Sequence, residues 1–309
     1  MKKIIATSAL LIYSLLMTAC NSMPQPTSTQ DKEEKFASIE KSNIEAGKKE
    51  ENKDTVVDEN RQTKTDKRER NVETQKLNKF SSIEVDVLAA DINVVSGEDW
   101  SISYNLSEKE PVQRFGVEND TLHLETKFDE TKRFDNTENW FISITIPENT
   151  TLTEVELETI SGNVNIQNFS CGEASISSTS GDVQAENITA MEMDMNSVSG
   201  DVIAKNITSV KMDAETVSGN ISAEGAFGEL ESSTISGYTK VSGSISAESE
   251  LESTSGDITL SISNSASIYA NSVGTITFNG EKAGSPLKHN NGIMITISSV
   301  SGDITVKTA

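Results

Sequence analysis

Four glycines, Gly162, Gly181, Gly200 and Gly219, recur at a constant interval of 19, and each sits in a unit of the form [ST]-x-S-G-[DN]-[VI]. Gly237, Gly256, Gly274 and Gly292 follow at intervals of 18, 19, 18 and 18, and Gly302 lies in one more copy, "SVSGDI". A fixed period of about 20 residues is the signature of a solenoid, in which a short unit buries its apolar side only by stacking on its neighbours. Each recurring residue type has a role in such a coil. Glycine tolerates positive φ, so the series predicts corners at Gly162, Gly181, Gly200, Gly219, Gly237, Gly256 and Gly302. Ser197, further from its glycine, reads as lying outside the bend. Asn and Asp tolerate positive φ too and can fold their side chains onto nearby backbone N–H groups. The aliphatic two positions past the glycine (Val164, Val183, Val202, Ile221, Ile258) then faces a narrow core. The expected fold is all-β: a single-stranded β-helix of about 18–19 residues per rung, each rung laid on the last. Rungs about 4.8 Å apart would align the Ser residues, the Asp/Asn residues and the corner residues Asn168, Asn187 and Asn206 into ladders.

The rest of the folded region agrees with strands. "FSSIEVDVLAADINVVSGEDWSISYNL" alternates apolar and polar residues, and so does "NWFISITIPENTTLTEVELETISGNVNI". No amphipathic helix is expected between residues 76 and 309. The domain organisation reads as 1–19, 20–75 and 76–309. The first segment, "MKKIIATSALLIYSLLMTA", has a charged start and an apolar run too short for a comfortable membrane span. It ends against a cysteine in "LMTAC", which resembles a bacterial lipobox, so Cys20 is the expected lipidation site and membrane anchor. Residues 20–75 carry 11 basic and 13 acidic groups with few large apolar side chains. They read as a disordered charged linker, with an r.m.s. reach of about 40 Å.

Charge excludes some partners. The chain carries −22, and residues 76–309 hold 13 basic and 35 acidic groups. So acidic a surface repels phosphate backbones, and nucleic acid is not an expected partner. Catalytic signals are sparse. The two histidines, His123 and His289, lie in a strand-like and a loop-like stretch and are not expected to act together. There is no HExxH, P-loop or GxSxG motif, and a serine here reads as a ladder residue. No catalytic, cofactor or metal residues are expected: each rung offers one Gly-Asp or Gly-Asn, whereas Ca²⁺ takes six to eight oxygens. Cys171 has no partner cysteine once Cys20 carries lipid and reads as a small buried hydrophobe.

The repeated units, together with the flanks "AADINVVSGED" and "MITISSVSGDITVKTA", resemble a bacterial β-helix family, the toastrack fold, whose members carry the label "putative adhesin". The resemblance covers about residues 78–309 and implies an envelope-facing solenoid; it brings no catalytic residues. The units depart from the motif at Tyr238, Thr275 and Ile293, so the ladders are expected to weaken from the fifth rung onward. The expected function is a surface-anchored, non-enzymatic binding or adhesion-like scaffold, extracytoplasmic, with a protein or cell-wall polysaccharide as partner. The alternatives are an envelope-sensing scaffold and, behind it, a carbohydrate-active β-helix enzyme.

Overall fold

A computed structural model describes residues 74–107, 109–128 and 139–309. Cys20, the segment expected to be a signal and the expected linker up to residue 73 lie outside the described residues. The last two residues assigned to the linker, Thr74 and Gln75, are instead paired in a strand with Ser103 and Ile102. What is described is all-β, with 21 strands hydrogen-bonded into one sheet. The first eight are β1 Thr74–Lys76, β2 Ser82–Val87, β3 Asp91–Gly97, β4 Ser101–Asn105, β5 Val112–Glu118, β6 Thr121–Thr126, β7 Phe141–Pro147 and β8 Thr151–Thr159. Four long strands carry the regular repeat: β9 Val164–Ser178, β10 Val183–Ser197, β11 Val202–Thr216 and β12 Ile221–Thr234. Then follow β13 Thr239–Ile245, β14 Ser249–Ser253, β15 Ile258–Ile262, β16 Ser267–Ser272, β17 Ile276–Phe278, β18 Glu281–Ala283, β19 Leu287–His289, β20 Met294–Ser299 and β21 Ile304–Lys307.

The long strands stack in parallel with the register that the glycine spacing predicts: Val164 beside Val183, Val183 beside Val202, and Val202 beside Ile221. Each wraps most of a coil. In β9 the alternation of buried and outward residues slips at Asn168 and again at Gly172–Glu173. A coil therefore has three short faces: a first through residues 164–167, a second through 169–171 and a third through 173–178. The inward residues form apolar columns such as Val164, Val183, Val202 and Ile221, all essentially buried. Fully burying one such side chain contributes about 1.5–3 kcal/mol, so many similar thin layers replace the large aromatic core this sequence lacks.

Stacking does not follow chain order at the two ends, and here the expectation that each rung lies on the last is corrected. At one end the first coil of the chain, β2–β3, lies between β6–β7 and β8–β9. At the other the last coil, β20–β21, lies between β14–β15 and β16–β17. Both terminal coils are thus second from the edge. The outermost coils are flanked by antiparallel strands: β4 beside β7 with β1 beyond it, β5 beside β6, β18 beside β17 and β19 beside β16. A stack of parallel strands would otherwise expose two rows of unpaired N–H and C=O groups, a template for aggregation.

Candidate binding faces

What the faces can present depends on how each bend is held, because the bends set the rung spacing. In most rungs the residue three before the glycine is a buried hydroxyl, and in the regular rungs it joins two bends. Ser197 Oγ donates to the Gly181 carbonyl at 3.0 Å and accepts from the Gly200 N–H at 2.9 Å. Ser197 is therefore part of the bend, and not outside it. Ser178 and Thr216 make the same two bonds one rung to either side. With the carbonyl drawn in this way, no space remains for a side chain at the glycine. A Cβ on Gly200 would lie 2.0 Å from the Gly181 carbonyl oxygen. The Cβ clearance is 2.0 Å at Gly162, Gly181, Gly237 and Gly302, 1.9 Å at Gly219 and 1.5 Å at Gly256.

This corrects the expected reason for the glycines. Gly162, Gly181, Gly200, Gly219, Gly256 and Gly302 are not at positive φ, and of the series only Gly237 is, at 158°. Close approach of the next bend, and not left-handed backbone, requires glycine there. The left-handed corners are the asparagines: Asn168, Asn187 and Asn206 have φ of 63°, 55° and 52°. Their side-chain amides bond in a ladder, each Nδ2 donating to the preceding Oδ1 at 2.7 Å. The ladder ends where β12 is one residue shorter, with Gly225 paired to Ile207. Gly292, which continues the glycine period in the sequence, is not in the stack; Gly302 lies on Gly256, with Gly274 beyond it. The serine directly before each glycine, the most regular in the sequence pattern, points outward, and the buried hydroxyl two residues earlier makes the bonds. Where that position is Val87 there is no hydroxyl, and a buried carboxylate holds the chain beside it by different bonds: Glu110 Oε1 accepts from the Leu88 N–H and from the Thr126 hydroxyl. Nothing in the repeat pattern points to Glu110.

The Asp/Asn column lies on the bends. Asn163 Oδ1 accepts from the Asp182 N–H at 2.9 Å, Asp182 Oδ1 from the Asp201 N–H at 2.8 Å, and Asp201 Oδ1 from the Asn220 N–H at 2.8 Å. Asn220 passes it to Tyr238, which has no carboxyl or amide to hand on. The column resumes from Asp257 to Asp303 to Thr275. These carboxylates are turned to backbone N–H groups, and among the described residues no group of three or more His, Cys, Asp or Glu is placed to hold a metal ion.

The three faces differ sharply in outward chemistry. On the first face one column runs Asn93, Asn165, Gln184, Ile203, Ser222, Lys240, Thr259 and Thr305, with no acid in it. Asn165 Nδ2 reaches Asn93 Oδ1 at 3.4 Å. The column beside it, with Gln167, Glu186 and Lys205, mixes both signs of charge. The second face shows the hydroxyls of Thr151, Ser170, Thr189 and Thr208 in register. The third face gathers the acids. Glu84 lies beside Glu156, Asp194 beside Asp213, Asp213 beside Glu231, and Glu231 beside Glu250. Burial and then the neighbouring carboxylates, Glu215 first, push Asp213 up to about 7. Burial followed by Glu158 and Glu125 pushes Asp86 up to about 6. Glu156, Asp194 and Glu215 are also raised, by burial first and neighbouring carboxylates after it.

The remaining candidates are far apart. His123 on β6 puts Nδ1 2.9 Å from Glu84 Oε2, whereas His289 on β19 packs its ring on Phe278 in the opposite cap. They do not form a pair. Cys171 is buried, and burial pushes its thiol up to about 12, so it is inert toward nucleophilic chemistry.

Comparison with known proteins supplies a family. Among solved structures, a "putative adhesin" from Bacteroides fragilis is 17% identical, covering 77% of this chain and 96% of its own, with a TM-score of 0.49. A "Putative lipid binding protein" from Parabacteroides distasonis is 16% identical over 78% of this chain and 98% of its own, with a TM-score of 0.39. Among curated proteins no sequence matches the chain. The family model described as Toastrack DUF4097 matches residues 80–307, which span β2 to β21. The chain belongs to the Toastrack DUF4097 family.

Proposed function

We propose that the protein is a lipid-anchored surface scaffold that binds and does not catalyse, using its first face to hold a polysaccharide of the cell wall. The carrying observation is the segregation of charge. A domain this acidic keeps one long column, Asn93 to Thr305, free of carboxylates and lined mainly by amides and hydroxyls. Such groups, spaced about 4.8 Å apart, offer both donors and acceptors to a neutral, hydroxyl-rich polymer. Cys20 would tether the coil at the outer side of the membrane, with the charged segment that follows supplying reach.

The test co-sediments the full chain with insoluble cell-wall polysaccharide, beside a variant carrying Gln184→Glu and Thr259→Glu. Retention of the wild type and loss of most of it in the variant is the expected result. Equal sedimentation of the two, or none of either, removes the first face from consideration. In the same cells Cys20→Ala should move the protein from the membrane to the soluble fraction; unchanged fractionation would falsify the anchor.

A further inference from the structure

A second surface stands apart from the neutral column. In each coil the residue that follows the buried bend hydroxyl points outward, and in most rungs it is apolar: Ile160, Val198, Val217, Ile235, Val300 and Val273. The bends are joined in register by backbone bonds, Ser180 to Ile160, Ser218 to Val198, Ser236 to Val217 and Ser255 to Ile235. These side chains therefore form a ridge down the coil, about 35 Å long at about 4.8 Å per rung. The ridge is open to solvent. Ile160 is 47% exposed, Val300 64% and Val273 88%, while Val198, Val217 and Ile235 in its middle are partly exposed. The bend does not require β-branched apolar residues here, since Thr179 and Thr254 occupy the same position in two rungs. The two threonines interrupt the ridge and leave Val198, Val217 and Ile235 as its contiguous run. Apolar surface that the fold does not need marks an interaction site.

Along one flank of the ridge lies the acidic third face. The nearest outward column contains Glu158, Glu215 and Glu252, and the next contains Glu156, Asp194, Asp213 and Glu231. A third column holds Glu154, Glu173, Glu192 and Glu229 with Lys211, the one basic residue in these columns among the described residues of β8 to β12. The acids end at Glu250 and Glu252, beyond which the same columns carry Thr296 and Ser298, so ridge and acids run together for about 25 Å. The strip they form, about 25 Å by 15–20 Å, is on the order of 400–500 Å², roughly half of the ~800 Å² that one partner buries in a standard interface.

We propose that this strip docks a basic, amphipathic segment of a partner protein lying along the coil axis, its apolar side on the ridge and its lysines or arginines on the third face. Charge complementarity selects this occupant. A second copy of the chain would set like columns of carboxylates against each other, and an anionic lipid surface would be repelled. The apolar ridge alone, one side chain wide, is too narrow for a stable contact. Desolvated beside it, each acid column strengthens the pairing with an opposing cation.

The test uses the full chain immobilised on a biosensor and two synthetic probe peptides of equal length. One has lysines on one helical side and leucines on the other; the second keeps the lysines and replaces leucine with serine. At physiological salt the lysine/leucine peptide should bind at least about tenfold tighter, a difference of about 1.4 kcal/mol. A variant carrying Ile160→Ser, Val198→Ser and Val217→Ser should lose that advantage and keep the weak affinity for the lysine/serine peptide. A second carrying Asp194→Asn, Asp213→Asn and Glu231→Gln should weaken both peptides, and Gln184→Glu on the first face should not weaken either. Thermal melts confirm that each variant is folded. Equal affinity for the two peptides, or a leucine advantage that survives in the ridge variant, overturns the proposal. So does self-association of the chain that the ridge variant abolishes. Because Gln184→Glu reports on the polysaccharide face alone, either reading can fail without the other.

Discussion

A buried serine and an achiral glycine divide the work of one bend. Ser197 both donates and accepts inside the stack, so Ser197→Ala leaves the Gly181 carbonyl and the Gly200 N–H each short of a partner. Unsatisfied buried groups cost about 1–3 kcal/mol, and that loss is expected in chemical denaturation. Ser197→Thr should be nearly neutral, because Thr216 holds the same place one rung on. A threonine variant as damaged as the alanine one would mean that shape, and not the hydroxyl, matters there. Gly200→Ala meets a different obstacle, a backbone oxygen 2.0 Å away that no rotamer can avoid. Such overpacking should cost roughly 1–3 kcal/mol. Gly284→Ala, with nothing within 4 Å, should change little. Equal stability of the two alanine variants would remove the close-approach account. The glycine period is legible in the sequence, but its cause is not: spacing shows that Gly200 recurs, and only the stacked bends show that the Gly181 carbonyl occupies its Cβ position. Ser197 looks like an ordinary strand residue for the same reason, since its two partners belong to different bends, one of them in the preceding rung.

Long strands such as β10 and β11 place equivalent residues side by side, and on the third face this sets acid against acid. Asp213 on β11 faces Asp194 on β10 and Glu231 on β12, with Glu215 and Lys211 on its own strand. Its carboxyl is pushed up to about 7, burial first and the neighbouring acids after it. An aspartate in an unfolded chain titrates near its ordinary value of about 3.9. Between those values the folded state therefore binds a proton that the unfolded state has released. The stability this contributes is full below about pH 4 and is lost as pH rises through about 7. Asp213→Asn should accordingly raise the melting temperature by a few degrees at pH 8 and leave it unchanged at pH 4. A variant less stable than wild type at pH 8 would mean that the ionised carboxylate is favourably held. Net acidity is plain from composition. The gathering of acids on the third face is not, because one period contains three faces. The corner at Asn168 is marked by the recurring asparagines, whereas the second slip, at Gly172–Glu173, has no recurring turn residue to mark it.

Stacking order along the whole coil is the level at which sequence spacing misleads most. Gly274 and Gly292 continue the period, yet Gly302, much later in the chain, takes the rung next to Gly256, and Gly274 lies beyond it. The same exchange at the other end puts β2–β3 inside β6–β7. In a solenoid stacked strictly in chain order the first and last coils are the outermost, each held by one neighbour, and they fray first. Here β2 is bonded to both β6 and β8, and β21 to both β15 and β17. Opening either one breaks two parallel ladders and uncovers Ile83 and Val85, or Ile304 and Val306, all buried. Exchange near the chain end should therefore require opening of the cap and its neighbour together. In native-state hydrogen exchange, amides of β2 and β21 should be protected to within about tenfold of those in β10, while β1, β5, β18 and β19 in the caps exchange orders of magnitude faster. Rapid exchange in β21, at the rate of β18, would show that the terminal strand opens by itself and that the inserted coil does not lock the end of the stack.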